Sequence, residues 1–326
     1  MKLQTNISIK KQAGNLINYH SKILLLGSCF SENIGGKLSY FKFQSDQNPF
    51  GILFHPKAIE NLITRAVNEE SYTEADLTFN NERWHCFDAH SSLSATDKKE
   101  LLTNLNTALI DTKKQVEEAT HVIITLGTAW VYKLIETDII VANCHKIPQK
   151  KFLKEILSVD EISKMLKNSI ALIKSISINV SVTFTVSPVR HLKDGFTENT
   201  RSKAHLIAGI HAVVHPKTNI YYFPSYEIIM DELREYRFYK EDMVHPNKIA
   251  INYIWEKFIS TWFSKESQET MQEIEVIQKG IAHRPFNENS EQHQKFLRNL
   301  ELKKKVLTQK YSFISFERES KKKDLI

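Results

Sequence analysis

The segment KILLLGSCFSENIGGKL, Lys22 to Leu38, is typical of a buried strand followed at once by a helix. Its four consecutive apolar residues, Ile23 to Leu26, are too few to cross a membrane but enough for a core strand. The run breaks at Gly27-Ser28, and Ser31-Glu32-Asn33 is typical of a helix start. Such a turn presents a serine at a helix N-terminus, where backbone N–H groups favour negative charge.

Other apolar runs rich in β-forming residues end, like this one, in small or turn-forming residues. Amphipathic stretches lie between them, which predicts alternating strands and helices and therefore a parallel sheet covered by helices. Further strands are predicted over 121–126, 180–186 and 219–223. Helices are predicted over 56–69, 98–119, 158–175, 200–214 and 249–258.

Polar residues follow several of the predicted strands. Functional groups in a parallel sheet collect at the carboxyl ends of its strands, which places Ser28, Gly127-Thr128 and Arg190 along one edge. A nucleophilic serine needs a base, and among the thirteen histidines His245 stands out because Asp242 lies three residues before it. In a loop, that spacing lets the carboxylate fold back on the imidazole, fix its tautomer and stabilise its charged form.

The composition is that of an ordinary globular chain: 41% of the 326 residues are hydrophobic and 25% are charged. The net charge of +6 comes with short basic runs but no zinc-finger or RNP-like pattern, so nucleic-acid binding is not expected. Three unpaired-looking cysteines argue against a disulfide framework. Without an apolar leader or a membrane-spanning run, we expect a cytoplasmic protein.

The periodic core pattern ends near Trp262. We therefore predict a main domain over residues 1–262 and a helical C-terminal extension over 263–326 that packs on it. Helices within the extension are predicted over 264–279 and 291–308. The sequence makes no prediction of oligomeric state.

Nine segments, in their order along the chain, carry a family resemblance. They are LLLGSCFSENIG (24–35), NPFGILFHP (48–56), WHCFDAHS (84–91), TLGTAWVY (125–132), NCHKIP (143–148), SPVRH (187–191), SKAHL (202–206), DMVHPN (242–247) and HRPFN (283–287). The chain resembles the bacterial GSCFA family, within the SGNH (GDSL-type) hydrolase superfamily. Ser31 stands where the family's name has Ala, a position past the nucleophile.

The resemblance implies a flavodoxin-like, three-layer α/β/α fold with a central parallel sheet. It implies Ser28 as nucleophile, His245 as base and Asp242 as the orienting acid, with no metal or organic cofactor. The expected reaction is hydrolysis of an O-acyl ester of a small or carbohydrate-like molecule through an acyl-enzyme. Two alternatives stay open: transfer of the acyl group to another hydroxyl, and a non-catalytic binding module on the same fold.

The oxyanion hole matches the superfamily less well. The resemblance implies three donors: the N–H of Ser28, a glycine N–H, for which Gly51 is the candidate, and an Asn side chain. The Asn position is occupied by Ala129, and Thr128 or Asn143 are the candidate replacements. Since losing one donor costs roughly 3–4 kcal/mol in the transition state, an enzyme needs another N–H donor beside Ser28, whereas a binding module does not.

Further substrate-binding candidates are His85, His90, Gly127, His145 and Arg190. The first two lie in the WHCFDAHS segment, which could form a pocket wall or a hairpin that packs on the sheet. Arg190 could bind a carboxylate or phosphate through two hydrogen bonds, or it could form a structural ion pair.

Cys29 is a weaker candidate nucleophile. If Ser28 points out of the turn, Cys29 is expected to point into the fold, as small buried cysteines commonly do. A zinc site can be drawn from His85, Cys86, His90, Cys144 and His145, but their spacing is not that of a typical zinc motif, and no metal is predicted.

Overall fold

A computed structural model describes residues 5–316. Its strands are β1 (Lys22–Gly27), β2 (Gln44–Gln47), β3 (Leu77–Asn80), β4 (Arg83–Cys86), β5 (His121–Leu126), β6 (Trp130–Leu134), β7 (Ile139–Val141), β8 (Phe152–Ile156), β9 (Ser181–Val186) and β10 (Ile220–Phe223). Five of them form a parallel sheet in the order β2-β1-β5-β9-β10. This is the flavodoxin-like order, so the predicted fold class is confirmed.

Helices cover both faces of this sheet. They are α1 (Cys29–Tyr40), α2 (Pro56–Asn68), α3 (Lys98–Glu118), α4 (Val159–Ile176), α5 (Phe196–His211), α6 (Ser225–Glu227), α7 (Lys248–Trp262), α8 (Lys265–Ala282) and α9 (Glu291–Lys310). Alternate residues of β1 point to opposite sides. Leu24 and Leu26 join a core with α2, α3, α4 and α5, while Ile23 and Leu25 join a second core with α1 and α7. The two cores make three layers.

The central strands match the prediction to within two residues because they are buried on both faces. β5 and β9 are buried along their whole length, and β5 is a nearly continuous apolar run, whereas β9 alternates β-branched or aromatic residues with buried Ser and Thr. β2 was not predicted, since its sequence QSDQ is partly exposed and carries no apolar pattern. An edge strand of this kind is recruited by pairing with β1, not by its own composition.

The structure also has two small antiparallel units, of which the hairpin was one of two interpretations of the WHCFDAHS segment and the three-stranded sheet was not predicted. β3 and β4 form a hairpin, and β6 lies between β7 and β8 in a three-stranded sheet. A π-helix over Ile228–Leu233 continues α6. These strands are three to five residues long, too short for a reliable periodic signal.

The predicted C-terminal helices are confirmed as α8 and α9, and both contact the second core. Leu300 and Leu307 of α9 are buried in it, and the ring of Tyr311 lies 4.9 Å from that of Tyr19. The domain boundary at residue 262 stays a prediction, and the end of the predicted extension lies outside the described residues. Within residues 5–316, none of the helices has the length and apolar character needed to span a bilayer.

Candidate active site

The turn from β1 into α1 places Ser28 at a helix N-terminus. Gly27 has φ +130°, and a side chain there would collide with the Thr125 carbonyl, so the turn requires glycine. The Ser28 N–H donates to Thr125 O at 3.0 Å, extending the β1–β5 pairing by one step. The Ser28 Oγ accepts from the Phe30 N–H at 3.3 Å and caps α1.

The exposures of Ser28 and Cys29 are the reverse of the expectation. Ser28 is 1% exposed, whereas Cys29 is only half-buried. Burial, with a contribution from Glu32, raises the pKa of the Cys29 thiol above its ordinary value. Because a thiolate is the reactive form of cysteine, this environment disfavours Cys29 as a nucleophile.

The segment 48–54 crosses the carboxyl ends of β1 and β5 and joins their turns. Asn48 Oδ1 accepts from the Gly27 N–H at 2.9 Å, and the Leu53 N–H donates to Gly27 O at 3.1 Å. The Gly127 N–H then donates to Phe54 O at 2.7 Å. The Gly27-Ser28 and Gly127-Thr128 turns are therefore neighbours at one edge of the sheet, as predicted for the carboxyl ends of parallel strands.

Asp242 and His245 form the predicted pair in the loop before α7. Asp242 Oδ2 lies 2.7 Å from His245 Nδ1, and Asp242 Oδ1 accepts the N–H groups of Val244 and His245 at 2.8 and 2.9 Å. The hydrogen bonds from the backbone lower the pKa of the Asp242 carboxyl to about 2. The ionised carboxylate holds the proton of neutral His245 on Nδ1 and leaves the lone pair on Nε2.

Arg190, at the end of β9, contacts this loop. Its N–H donates to Val244 O at 3.4 Å, and its guanidinium lies over the rings of Tyr239 and Tyr236, 4.5 and 5.7 Å from their centroids. Among residues 5–316, no carboxylate forms an ion pair with it. The described contacts of Arg190 therefore hold the loop against the sheet edge, and the alternative of an ion pair with a loop acid is not formed.

Electrostatic effects connect the loop to the two turns. Lys240 of the loop opposes the rise in the pKa of Cys29, and His245 contributes to a low pKa at His191. In the part of the chain that the structure describes, the hydrogen bonds of Ser28 Oγ and His245 Nδ1 run to Phe30 and Asp242. This edge of the sheet therefore holds the Asp242–His245 pair and the helix-capping Ser28. No hydrogen bond between Ser28 and His245 is present among the described residues.

Neither backbone donor predicted for the oxyanion hole is free. The Ser28 N–H is bonded to Thr125 O, and the Gly51 N–H donates to Asn48 O at 2.7 Å. Ala129, which stands at the expected Asn position, is fully buried. Both N–H groups therefore stabilise the turns, and their role in an oxyanion hole stays a prediction.

The predicted replacements, Thr128 and Asn143, are also hydrogen-bonded. Thr128 Oγ1 lies 3.1 Å from Ser202 Oγ and accepts from the Trp130 N–H at 3.0 Å. Asn143 Oδ1 accepts from the His145 N–H at 2.9 Å. Both residues nevertheless line one cleft of about 220 Å³ beside the Gly127 turn.

His191, at the same cleft, had no role assigned from the sequence. Its Nε2 is buried without a hydrogen-bond partner among the described residues, and it would lie 3.1 Å from a Cβ at Gly127. Burial, helped by Lys203 and His245 and opposed by Asp194, lowers the pKa of His191 to about 4. The imidazole is therefore neutral at pH 7.

Lys203 lies beneath the edge and was also missed. It is 1% exposed, and its Nζ donates to Gly127 O at 2.6 Å and Ser187 O at 2.8 Å. Burial lowers the pKa of the Lys203 amine to about 7. A signal was present in the sequence, because Lys203 falls on the face of α5 that Leu206 and Ile210 bury, where a lysine is unusual.

The remaining histidine candidates lie around the β3–β4 hairpin. His90 also contacts the 48–54 segment at the sheet edge, because its backbone N–H donates to Phe50 O at 2.9 Å and a Cβ at Gly51 would lie 2.5 Å from the His90 Cβ. His85 bonds Ser94 Oγ at 2.6 Å and Asn80 O at 3.0 Å, and its ring stacks on that of His145 at 4.6 Å. His90 accepts from the Ser92 N–H at 3.2 Å. These contacts agree with the hairpin-packing interpretation of the WHCFDAHS segment.

Both ring nitrogens of His145 are also hydrogen-bonded, with Nε2 at 2.7 Å from Cys86 O and Nδ1 at 3.1 Å from Ser91 Oγ. The stacked pair of His85 and His145 is thus brought together by packing. Within the described residues, no three His, Cys, Asp or Glu side chains are arranged to hold a metal ion.

Comparison with known families agrees with the resemblance seen in the motifs. A model described as the GSCFA family matches residues 22–258, and one described as the GSCFA domain protein, C-terminal domain, matches residues 274–322. A comparison with curated proteins found no match. Since the first match alone covers well over half of the chain, the protein belongs to the GSCFA family.

Proposed function

We propose that this protein is an SGNH-type serine hydrolase that cleaves an O-acyl ester of a small or carbohydrate-like molecule at Ser28. The observation that carries the proposal is the 2.7 Å contact between Asp242 Oδ2 and His245 Nδ1 at the sheet edge that also holds Ser28. A carboxylate that orients an imidazole is the arrangement that prepares a general base.

In the proposed reaction, Ser28 Oγ attacks the ester carbonyl and its proton passes to His245 Nε2. Collapse of the tetrahedral intermediate breaks the ester C–O bond, and His245 returns the proton to the leaving alcohol. A water molecule then attacks the acyl-enzyme with His245 again as base, which releases the acid and restores Ser28. Asp242 stays ionised throughout and stabilises the imidazolium, because its pKa is about 2.

The cleft beside Gly127 is the proposed place of the non-reacting part of a small polar substrate; Ser28 and His245 lie outside its lining. Its volume of about 220 Å³ suits a few heavy atoms beyond the reacting carbonyl rather than a long acyl chain. Trp130 and Tyr132 line it with aromatic surface, and Thr128 and Asn143 supply polar groups. Aromatic walls with a few polar groups are typical of ligand sites.

A binding module is the second candidate, and a specific observation favours it. Ser28 is 1% exposed and caps its own helix, and the N–H groups of Ser28 and Gly51 are both used within the fold. A site that had lost catalysis would keep these structural hydrogen bonds. This candidate predicts a ligand that binds in the cleft and leaves unchanged.

Labelling with a fluorophosphonate probe separates the two candidates. We expect the wild-type protein to be labelled and Ser28→Ala and His245→Ala to be unlabelled, because the probe reacts only with an activated serine. Ser31→Ala is the matched control, since Ser31 is a buried serine on the same helix whose Oγ donates to Leu26 O. Folded wild-type protein that resists the probe, or labelling that survives in Ser28→Ala, would rule out the proposed chemistry.

A further inference from the structure

Two buried polar atoms at the carboxyl edge have no partner. Seven side-chain nitrogen or oxygen atoms in residues 5–316 are buried without a hydrogen bond, and Asn48 Nδ2 and His191 Nε2 are the two that flank the Ser28 and Gly127 turns. Nearly all buried polar groups in proteins are paired, since leaving one unpaired costs free energy. An unpaired donor at a reactive edge therefore points to a ligand atom.

The position of Asn48 is determined by β1. Its backbone N–H donates to Leu25 O at 2.9 Å, and its side-chain Oδ1 accepts from the Gly27 N–H at 2.9 Å. The side chain thus continues the β1–β2 pairing by one step, up to the residue that precedes Ser28. Asn48 has φ +44°, a left-handed conformation that asparagine tolerates better than most residues.

The orientation of this carboxamide follows from the same contact. Because Oδ1 is held by the Gly27 N–H, the other atom must be the nitrogen, which carries two hydrogens and can only donate. The nitrogen is buried beside the turn that presents Ser28 and is unpaired among the described residues. It is a preoriented donor without an acceptor.

We propose that Asn48 Nδ2 donates a hydrogen bond to the carbonyl oxygen of the substrate and to the oxyanion formed when Ser28 attacks. The inference rests on the proposed function. Attack by Ser28 on an ester needs such a donor, and the N–H groups of Ser28 and Gly51 are already bonded within the fold. Ala129 has no side-chain donor, so Asn48, the residue after β2, supplies the amide instead.

His191 is the weaker choice for this role. Its unpaired Nε2 lies over Gly127. Ser28 is hydrogen-bonded to Thr125, which is two residues before Gly127, or about 7 Å along an extended chain. His191 is therefore farther from Ser28 than Asn48 is along the sheet edge. A neutral imidazole nitrogen can also be an acceptor, so its geometry alone does not make it a donor.

The test is the rate of fluorophosphonate labelling of Asn48→Asp. Aspartate has the same shape, tolerates the left-handed conformation and keeps the acceptor for the Gly27 N–H, but it lacks the donor. We expect labelling of the folded variant to be slowed about 10²- to 10³-fold, and its melting temperature to fall because a carboxylate oxygen replaces the buried nitrogen. Asn33→Asp is the matched control, since it adds the same charge in the first turns of α1 and should label normally.

A second measurement uses the wild-type protein alone. The Asn48 side-chain amide protons should shift downfield in the NMR spectrum once the phosphonate is bound to Ser28, which a purely structural asparagine would not show. Labelling of Asn48→Asp within about threefold of the wild-type rate, or slowing in His191→Leu only, would overturn the inference while leaving the serine chemistry intact. Failure of the wild-type protein to label would overturn both proposals.

Discussion

The sheet edge and the β3–β4 hairpin both concentrate histidines, but they use the ring nitrogens differently. Around the hairpin, both nitrogens of His85 and of His145 are hydrogen-bonded to the protein. At the edge, the Nε2 of His191 is buried without a partner in the described chain, and His245 is bonded at Nδ1 to Asp242. Saturated imidazoles hold a fold together, whereas an imidazole with an unused nitrogen is available to a ligand.

Removing the carboxylate from the edge should have the largest effect. Asp242→Asn keeps an oxygen for the N–H groups of Val244 and His245 but turns an N–H toward His245 Nδ1, which puts the imidazole in the wrong tautomer. We expect turnover of short acyl esters to fall roughly 10³- to 10⁴-fold. Glu241→Gln is the control, because it removes the adjacent exposed charge and should leave turnover unchanged. Equal losses in the two variants would contradict the Asp–His assignment.

Replacing a histidine whose two ring nitrogens are both hydrogen-bonded should lower the stability of the fold and leave the reactivity of Ser28 unchanged. His85→Phe keeps the stacked ring but leaves Ser94 Oγ and Asn80 O without their partner. We expect the free energy of unfolding to fall by about 2 kcal/mol, measured by urea denaturation. The probe-labelling rate of the folded variant should equal that of the wild type. A slower labelling rate with an unchanged free energy of unfolding would instead assign His85 to the active site.

The third effect is a pH dependence, and it concerns Lys203, whose amine links the Gly127 turn to the buried face of α5. Burial lowers its pKa to about 7, whereas an unfolded lysine has a pKa near 10.4. Between these values the unfolded chain binds more protons, so this lysine makes the free energy of unfolding rise with pH, by at most about 1.4 kcal/mol per pH unit.

Lys203→Met should remove the increase of the free energy of unfolding with pH that comes from this lysine. Urea denaturation at pH 7, 8 and 9 should therefore show a difference between wild type and variant that grows with pH in favour of the wild type. Lys193→Met, at a neighbouring exposed lysine, should run parallel to the wild type. Parallel curves for Lys203→Met as well would show that Lys203 keeps an ordinary pKa in the folded protein.

Prediction of the fold from the sequence succeeded where burial imposes a pattern. The runs that became β1, β5, β9 and β10 were found because these strands are mostly buried and rich in apolar, β-branched and aromatic residues. β2 and the strands β6 to β8 were not found. Their residues are partly exposed, and pairing with neighbours, not their own composition, makes them strands.

At the candidate site, the sequence predicted the local geometry of one loop. Asp242 and His245 are three residues apart, so a single loop brings their side chains into contact. The oxyanion-hole roles of Ser28 and Gly51 stay predictions, and the structure shows that the N–H groups of these residues donate to Thr125 O and to Asn48 O. The acceptor of the Ser28 N–H lies almost a hundred residues away in the chain, so no pattern within one segment could identify it.

Periodicity and short spacings were enough to establish the α/β class, the Gly27-Ser28 turn and the Asp242–His245 pair, because each depends on residues close together in the chain. Folding alone settled which polar groups stay unpaired at the sheet edge and which become structural. Hydrogen-bond satisfaction is a property of the packed interior, where Asn48 and His191 meet partners more than twenty residues away or none at all.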